Sequence, residues 1–246
     1  MKRSRVNAIM AEAEDMLSRH NVKLPPFAWW SPEEMVARAP GTRIREARMG
    51  WDITDYGQDD FDALGLFLFT TRNGRLSDLR RGGGMAYAEK FLISRRDQVS
   101  PMHTHVLKAE DIICKGVDTD GATLAVQLHG SDGDGNFAED RGCTVLLDGV
   151  PREVAAGEVI RLHPGESVTL MPGDWHAFWG AGGDVLIGEV STVNDDETDN
   201  VFREPIGRFS AIDEDEAPRH LLVSDYAIWL DQAAEEVAAG GVRSMS

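Results

Sequence analysis

Two histidines and a glutamate follow one another closely between Pro101 and Glu110, in a pattern that can bind a metal ion. One residue separates His103 from His105, and Glu110 comes five residues later. Side chains on a β-strand alternate between its two faces, so both imidazoles point the same way, with Cα atoms about 7 Å apart. A turn after His105 would bring the Glu110 carboxylate to the same ion.

A second segment supplies a fourth candidate ligand. Pro172-Gly173 predicts a turn that delivers His176 to the start of the following strand. Three neutral imidazoles and one carboxylate suit Mn²⁺, Fe²⁺, Co²⁺, Ni²⁺ or Zn²⁺ and do not suit Ca²⁺. Four protein ligands leave two positions of an octahedral ion open, which can bind a chelating hydroxy-carbonyl substrate. The expected metal ligands are His103, His105, Glu110 and His176.

A glycine pair after this segment bears on one further carboxylate. Gly182-Gly183 lies between two apolar runs and predicts a two-residue hairpin loop. In that hairpin Glu189 would pair directly with His176 and project into the metal cavity. A carboxylate inside a barrel is costly unless it is paired or functional, so Glu189 is a candidate substrate ligand or base. The alternative is a solvent-facing acid on an edge strand.

Lysine, arginine and glutamate side chains near these segments are further candidates. Lys90 follows Glu89 in an apolar strand, and alternation leaves open which of the two faces inward. Lys108 lies between two metal ligands, close to any bound anion, with an exposed turn lysine as the alternative. Glu204 and Arg208 lie in a stretch that mixes charges with aromatic residues, and composition alone gives Glu204 no role.

Short apolar runs predict the strands that position these residues. Gly, Asp and Pro separate the runs at intervals of about ten to fifteen residues, which is typical of an all-β sandwich or barrel and not of alternating β-α units. The runs cover residues 61–70, 87–93, 145–147, 159–162, 167–171, 177–179 and 185–190.

Helices are expected on both sides of this all-β core. Apolar residues recur at spacings of three and four over residues 4–20, and Ser31-Pro32 predicts the start of a short helix that ends near Ala39. An apolar stripe predicts a last helix that ends at Gly240-Gly241. We expect one domain, with a helical segment (1–42), a β-barrel core (43–224) and a C-terminal helix (225–241).

The composition excludes several classes of function. The chain has 246 residues and a formal net charge of −17, which disfavours binding to nucleic acids or to anionic membranes. Two cysteines do not suggest a disulfide framework, and no apolar run approaches the length of about 20 residues that a transmembrane helix needs. We expect a soluble, cytoplasmic protein.

The two histidine segments resemble the two signature motifs of the cupin superfamily. The first motif, His-x-His followed by Glu and then Gly, matches the residues from His103 to Gly116. The second motif matches more loosely: Gly165 leads, Pro172-Gly173 lacks the usual intervening residue, and Gly180 stands where an Asn is usual.

Longer stretches resemble the D-lyxose isomerase family of cupins. They are Tyr87-Ala88-Glu89-Lys90, the segment from His103 to Ile113, the segment from Gly188 to Asp196, and the segment from Arg203 to Phe209. The resemblance implies a cupin jelly-roll barrel with flanking helices and a homodimer. It also implies an isomerase that uses Mn²⁺ to interconvert D-lyxose and D-xylulose, with D-mannose and D-fructose as further substrates.

The same resemblance implies roles for individual residues. It carries over the four metal ligands and implies that Lys90, Glu189, Glu204 and Asp225 line the sugar site. With it, we expect Glu204, Glu189 and Lys90 to be the catalytic residues. The expected substrate-binding residues are Lys108, Asp225 and Arg208. Glu204 or Glu189 would move a proton between C2 and C1 through a cis-enediol, with a hydride shift as the alternative.

Three other functions stay open at this point. Cupin dioxygenases use the same ligand set with oxygen, and other cupins bind a sugar without turning it over. An isomerase of sugar phosphates would need a cluster of Arg or Lys, and near the motifs the sequence offers Lys108 and Lys115.

Overall fold

The computed structural model describes residues 1–230, in which two antiparallel β-sheets face each other. The helices of this part are α1 (Arg3–Arg19), α2 (Pro32–Arg38), α3 (Arg43–Glu46) and α4 (Leu76–Arg80), with 3-10 turns at Pro26–Trp29 and Val223–Asp225. Strands β1 to β6 span Gly50–Thr54, Leu66–Arg72, Tyr87–Ser94, Ser100–His105, Glu110–Val117 and Thr123–His129. Strands β7 to β13 span Cys143–Leu147, Val150–Val154, Val159–Leu162, Ser167–Leu170, Trp175–Ala181, Val185–Thr192 and Asn200–Phe202.

The strands form one eight-stranded and one five-stranded sheet. The larger sheet has the order β1-β2-β3-β12-β5-β10-β7-β8, and the smaller one has the order β13-β4-β11-β6-β9. Consecutive strands often lie in different sheets, as in a jelly roll, so distant parts of the sequence meet inside the barrel. The predicted all-β jelly-roll core with flanking helices is confirmed.

Helix α1 covers the outer face of the larger sheet. Its apolar side chains are buried against β1 and β2, where Trp51 and Phe69 are fully buried. Burying each large apolar side chain contributes about 1.5–3 kcal/mol, so this contact fixes the helix on the sheet. The helix predicted for residues 4–20 is confirmed, with its start one residue earlier at Arg3.

The second predicted helix begins where the sequence places it. Ser31 Oγ accepts a hydrogen bond from the Glu34 backbone N–H at 3.2 Å, and the Ser31 N–H donates to Glu34 Oε2 at 3.2 Å. This reciprocal cap satisfies two otherwise unpaired N–H groups. The last predicted helix is described only at residues 226–230, which are helical, and its remainder lies outside the described residues. None of the described helices is long and apolar enough to cross a membrane.

The hairpin predicted at Gly182-Gly183 is wrong. Strand β11 pairs with β4 and β6 in the smaller sheet, whereas β12 pairs with β3 and β5 in the larger one. The glycine pair therefore connects the two sheets, and Gly182 adopts a φ of +88° in that turn. His176 lies opposite His103, and Glu189 lies opposite Lys90.

Candidate metal centre

The four predicted ligands converge inside the barrel. One ligand atom from each of them lies within 4.8 Å of the others, and all four residues are buried. Strand β4 supplies His103 and His105, β5 begins at Glu110, and β11 places His176 directly opposite His103. Segments about seventy residues apart therefore meet because β4 and β11 are neighbours in one sheet. The four converging metal ligands are His103, His105, Glu110 and His176.

Hydrogen bonds orient two of the imidazoles towards this point. His103 Nδ1 donates to the Pro101 carbonyl at 2.7 Å, and His176 Nδ1 donates to the Asp174 carbonyl at 3.1 Å. Such backbone partners leave the Nε2 lone pair free to bind a metal. His176 Nε2 and both ring nitrogens of His105 are buried and have no hydrogen-bond partner among residues 1–230. The Nε2 atoms of His105 and His176 both face Glu110 Oε1, at 3.3 Å and 3.1 Å. A metal ion between these groups would accept both Nε2 lone pairs, so the residues present fit one.

The charge states of the ligands also suit a metal. Burial, together with the neighbouring imidazoles, holds the pKa of His103 well below its usual 6.5. Burial and Lys108 lower the pKa of His105 as well. Burial alone would raise the pKa of Glu110, but Lys108 and His105 hold it well below its usual range. His103 and His105 are therefore neutral and the Glu110 carboxylate is ionised, which are the forms that a metal binds.

Asp199 holds the turn that separates His105 from Glu110. Its Oδ1 accepts the backbone N–H groups of Val106 at 3.1 Å and Leu107 at 2.7 Å, and its Oδ2 accepts that of Lys108 at 3.0 Å. A buried carboxylate with three N–H donors fixes the spacing between two ligands. The sequence analysis missed Asp199, because nothing local links it to a turn more than ninety residues earlier.

A row of alternating charges, here called the charge chain, runs from the metal centre along the cavity. Lys108 Nζ contacts Glu110 Oε2 at 2.6 Å and Glu189 Oε1 at 3.0 Å. Lys90 Nζ contacts the same Glu189 oxygen at 3.2 Å and Asp196 Oδ1 at 3.7 Å. Glu189 and both lysines are buried, so each charge depends on its neighbours for compensation.

Arg208 and Asp52 complete the charge chain. Arg208 Nη2 lies 3.5 Å from Asp196 Oδ1 and 2.7 Å from Asp52 Oδ2. Burial would raise the pKa of Asp196, but Lys90 and Arg208 hold it well below its usual range. Burial raises the pKa of Asp52 in spite of Arg208. Arg208 Nη1 and Asp52 Oδ1 are buried with no hydrogen-bond partner in the described part of the chain.

The structure decides which of the two adjacent residues of β3 faces inward. Lys90 lies inside the barrel, where Asn194 Oδ1 accepts a hydrogen bond from its Nζ at 2.8 Å. Glu89 faces the other side and accepts a hydrogen bond from the Thr71 hydroxyl at 2.6 Å. The inward position of Glu189, which rested on a wrong hairpin, follows instead from its pairing with Lys90.

Two predicted site residues lie elsewhere. The Glu204 side chain is 67 % exposed and contacts only its neighbour Arg203 among the ion pairs of the described residues. Asp225 pairs with the buried guanidinium of Arg3 at 2.9 Å and caps the Leu222 N–H at 2.9 Å. Neither lines the metal cavity. A fully buried arginine requires a carboxylate, which explains the position of Asp225.

Aromatic side chains border the cavity. The Phe202 ring lies 5.7 Å from the His103 ring and 5.6 Å from the Tyr56 ring, between centroids. The Tyr56 hydroxyl shares a hydrogen bond with Ser100 Oγ at 2.9 Å, and burial raises its pKa to about 12. The cavity that these rings border is partly open and has a volume of about 40 Å³.

Comparisons with known proteins agree with this geometry. A family model described as D-lyxose isomerase matches residues 1–226. A D-lyxose/D-mannose isomerase of Serratia proteamaculans is 46% identical over 230 residues, which is 92% of this chain and 98% of that protein. A D-lyxose/D-mannose isomerase of Escherichia coli O157:H7 is 43% identical over the same shares.

Solved structures show the same fold at low identity. The L-ribose isomerase of Cellulomonas parahominis has a TM-score of 0.58 at 14% identity and covers 87% of this chain and 98% of its own. That of Acinetobacter sp. DL28, with L-ribose, has a TM-score of 0.57 at 17% identity over the same shares. At this identity the likeness establishes the fold alone.

Proposed function

The chain belongs to the D-lyxose isomerase family and is a sugar isomerase, and from this premise we propose that it interconverts D-lyxose and D-xylulose at a divalent metal centre. D-mannose and D-fructose are the proposed second pair, as the names of both relatives suggest. The observation that supports the proposal best is the buried Glu189, which one lysine joins to the converging metal ligands. Family membership also disfavours the dioxygenase and the non-catalytic alternatives.

The proposed cofactor is Mn²⁺, held by the four converging ligands. Their nitrogen and oxygen donors also suit Co²⁺, Zn²⁺, Fe²⁺ and Ni²⁺. When bound, such an ion supplies Lewis-acid polarisation of the sugar carbonyl. The proposed ligands are His103, His105, Glu110 and His176.

We propose Glu189 as the group that moves the proton between C2 and C1. Both lysine contacts fall on its Oε1, which leaves Oε2 as the oxygen to receive a proton from carbon. Lys90 and Lys108 fix the carboxylate, and their ammonium groups can donate to the sugar oxygens as the cis-enediol forms. Glu204, the other candidate base, is exposed and does not line the cavity, which is why we propose Glu189 for this role.

The charge chain favours a neutral sugar over a sugar phosphate. Lys90, Lys108 and Arg208, the lysine and arginine side chains that line the cavity, already pair with carboxylates. A phosphate would have to displace these carboxylates, whereas a hydroxyl needs only a single donor or acceptor. Arg208 Nη1 lines the cavity and has no hydrogen-bond partner in the described part of the chain, and we propose that it donates to a sugar hydroxyl.

The test is turnover after metal removal. Protein stripped with EDTA is assayed for conversion of D-lyxose to D-xylulose without oxygen, before and after Mn²⁺ is added back. We expect activity only with the metal. No ketose from D-lyxose or D-mannose under any added metal would refute the proposed substrates.

Isotope transfer tests the proton route. D-lyxose carrying deuterium at C2 is converted in ordinary water, and the product is analysed for deuterium at C1. A proton carried by Glu189 exchanges with solvent, so we expect loss of label. Complete retention at C1 would indicate the hydride shift instead.

The homodimeric state and the cytoplasmic location stay predictions.

A further inference from the structure

The metal cavity is too small for the sugar that the proposed function requires. Its volume of about 40 Å³ holds a few water molecules at most. A pentose with a carbon chain and five oxygens needs several times that space. The sugar must therefore extend past the present wall, or part of that wall must move when the sugar binds.

One wall of the cavity is held far less firmly than the others. Strands β3, β5 and β12 are each hydrogen-bonded on both sides in the larger sheet, as β4 and β11 are in the smaller one. Strand β13 has three residues, lies at the edge of its sheet, and pairs only with β4 among the described strands. Displacing β13 breaks the fewest backbone hydrogen bonds.

Phe202 is the side chain that this strand places in the cavity. It is half-buried, and ring contacts with His103 and Tyr56 hold it there. Tyr56, in contrast, is buried and hydrogen-bonded to Ser100. The Phe202 side chain itself is held by apolar contacts, so swinging it outward with β13 breaks these contacts and the short β13–β4 pairing.

The ring also stands on the path that the sugar must take. The carbonyl end belongs at the metal ligands, and the unpaired Arg208 Nη1 offers a donor at the other end of the cavity. Phe202 touches His103 at the first end and Tyr56, which lies beside Arg208, at the second. Carbons beyond C2 therefore meet the Phe202 ring first.

We infer that Phe202 determines which length of sugar the site accepts. This inference rests on the proposed function, since it assigns the selection between five-carbon and six-carbon sugars to one side chain of that site. The ring takes a place that a hexose needs more than a pentose does. A smaller side chain at position 202 admits the longer sugar, and a larger one excludes it.

The first experiment compares kcat/KM for D-mannose and D-lyxose in the metal-loaded protein. One methylene in an apolar pocket typically changes specificity by about tenfold or more. We therefore expect Phe202→Ala to raise the mannose-to-lyxose ratio by at least about fivefold. Phe202→Trp is expected to lower it. The control is Phe91→Ala, a half-buried phenylalanine that packs against the core on the outer face of the larger sheet and does not line this cavity, and it should leave the ratio unchanged.

A second experiment measures the preference for five-carbon or six-carbon ligands without turnover. Calorimetry measures the affinities of the same variants for D-arabinitol and D-mannitol, which cannot be isomerised. A ratio that shifts with residue 202 supports the inference even where no isomerase activity is found. The inference about Phe202 is overturned if the six-carbon to five-carbon ratio, by activity or by polyol binding, stays within twofold of the wild-type value in both variants. Absence of turnover in the wild-type protein bears on the proposed function alone.

Discussion

Asp199→Asn tests whether the turn between His105 and Glu110 prepares the metal site. The carboxylate accepts three backbone N–H groups, two on Oδ1 and one on Oδ2. The amide can keep the two bonds on its oxygen, but its NH₂ group would face the Lys108 N–H, which then loses its acceptor. Losing one charge-assisted hydrogen bond and leaving a buried donor unpaired costs about 2 kcal/mol.

The lost hydrogen bond should weaken metal binding, because the turn that Asp199 holds joins the two ligands His105 and Glu110. About 2 kcal/mol corresponds to roughly a 30-fold rise in the Kd for Mn²⁺, within the range known for residues that support metal ligands. The assay is competition with a chelating dye. Asp195→Asn makes the same change four residues earlier, where the carboxylate bonds Thr198 and Glu197 instead. Equal Mn²⁺ affinity in both variants and the wild-type protein would refute the reasoning.

Three further predictions concern catalysis, metal removal and pH. Glu189→Gln should lower kcat by about 10²–10⁴ while Mn²⁺ still binds; a change in KM alone would contradict a role in proton transfer. Mn²⁺ at 100 times its Kd should stabilise the fold by about 2.7 kcal/mol, measured by urea unfolding with and without EDTA. Burial raises the pKa of Glu14, but the His220 ring, 3.6 Å away, and the hydrogen-bonded guanidinium of Arg219 outweigh burial and lower the pKa from 4.5 to about 2. Because this pKa is depressed in the folded state, Glu14 stabilises the protein above pH 4.5, and the contribution is lost as the pH falls towards 2. Because solvent screens the half-exposed Arg219, the Glu14 contribution to the free energy of unfolding amounts to about 1 kcal/mol. The difference in unfolding free energy between the wild-type protein and Glu14→Gln should therefore fall to zero as the pH falls from 4.5 towards 2.

The sequence predicted the parts of the site that depend on local spacing. His103 and His105 share a face because strands alternate, and both segments of the ligand set carry recognisable turns. The group of four assembled from those patterns is the group whose ligand atoms converge in the structure. Strand β9 (Val159–Leu162) coincides with a predicted apolar run, and helix α1 follows closely from the apolar spacing of three and four over residues 4–20.

Residues that meet through sheet order had no local signal. Asp52, Asp196 and Asp199 reach the site only because β1, β12 and β13 lie beside strands distant in sequence. The glycine pair at 182–183 shows the same limit, since a short turn between sheets has the same composition as a hairpin. Glu204 and Asp225 were placed by resemblance, and neither lines the cavity.

The charge chain has a consequence for how this site can change over evolutionary time. Four carboxylates and three cations alternate from Asp52 to Glu110, and almost every member is buried. Replacing one member removes one compensating partner from each buried neighbour, which costs more than replacing an adjacent pair together. Lys90 and Asp196 should therefore covary among relatives of this chain, and a laboratory search for new sugar specificity should vary such pairs jointly. Single substitutions should be tolerated better at the apolar wall that contains Phe202, because they leave no buried charge without a partner.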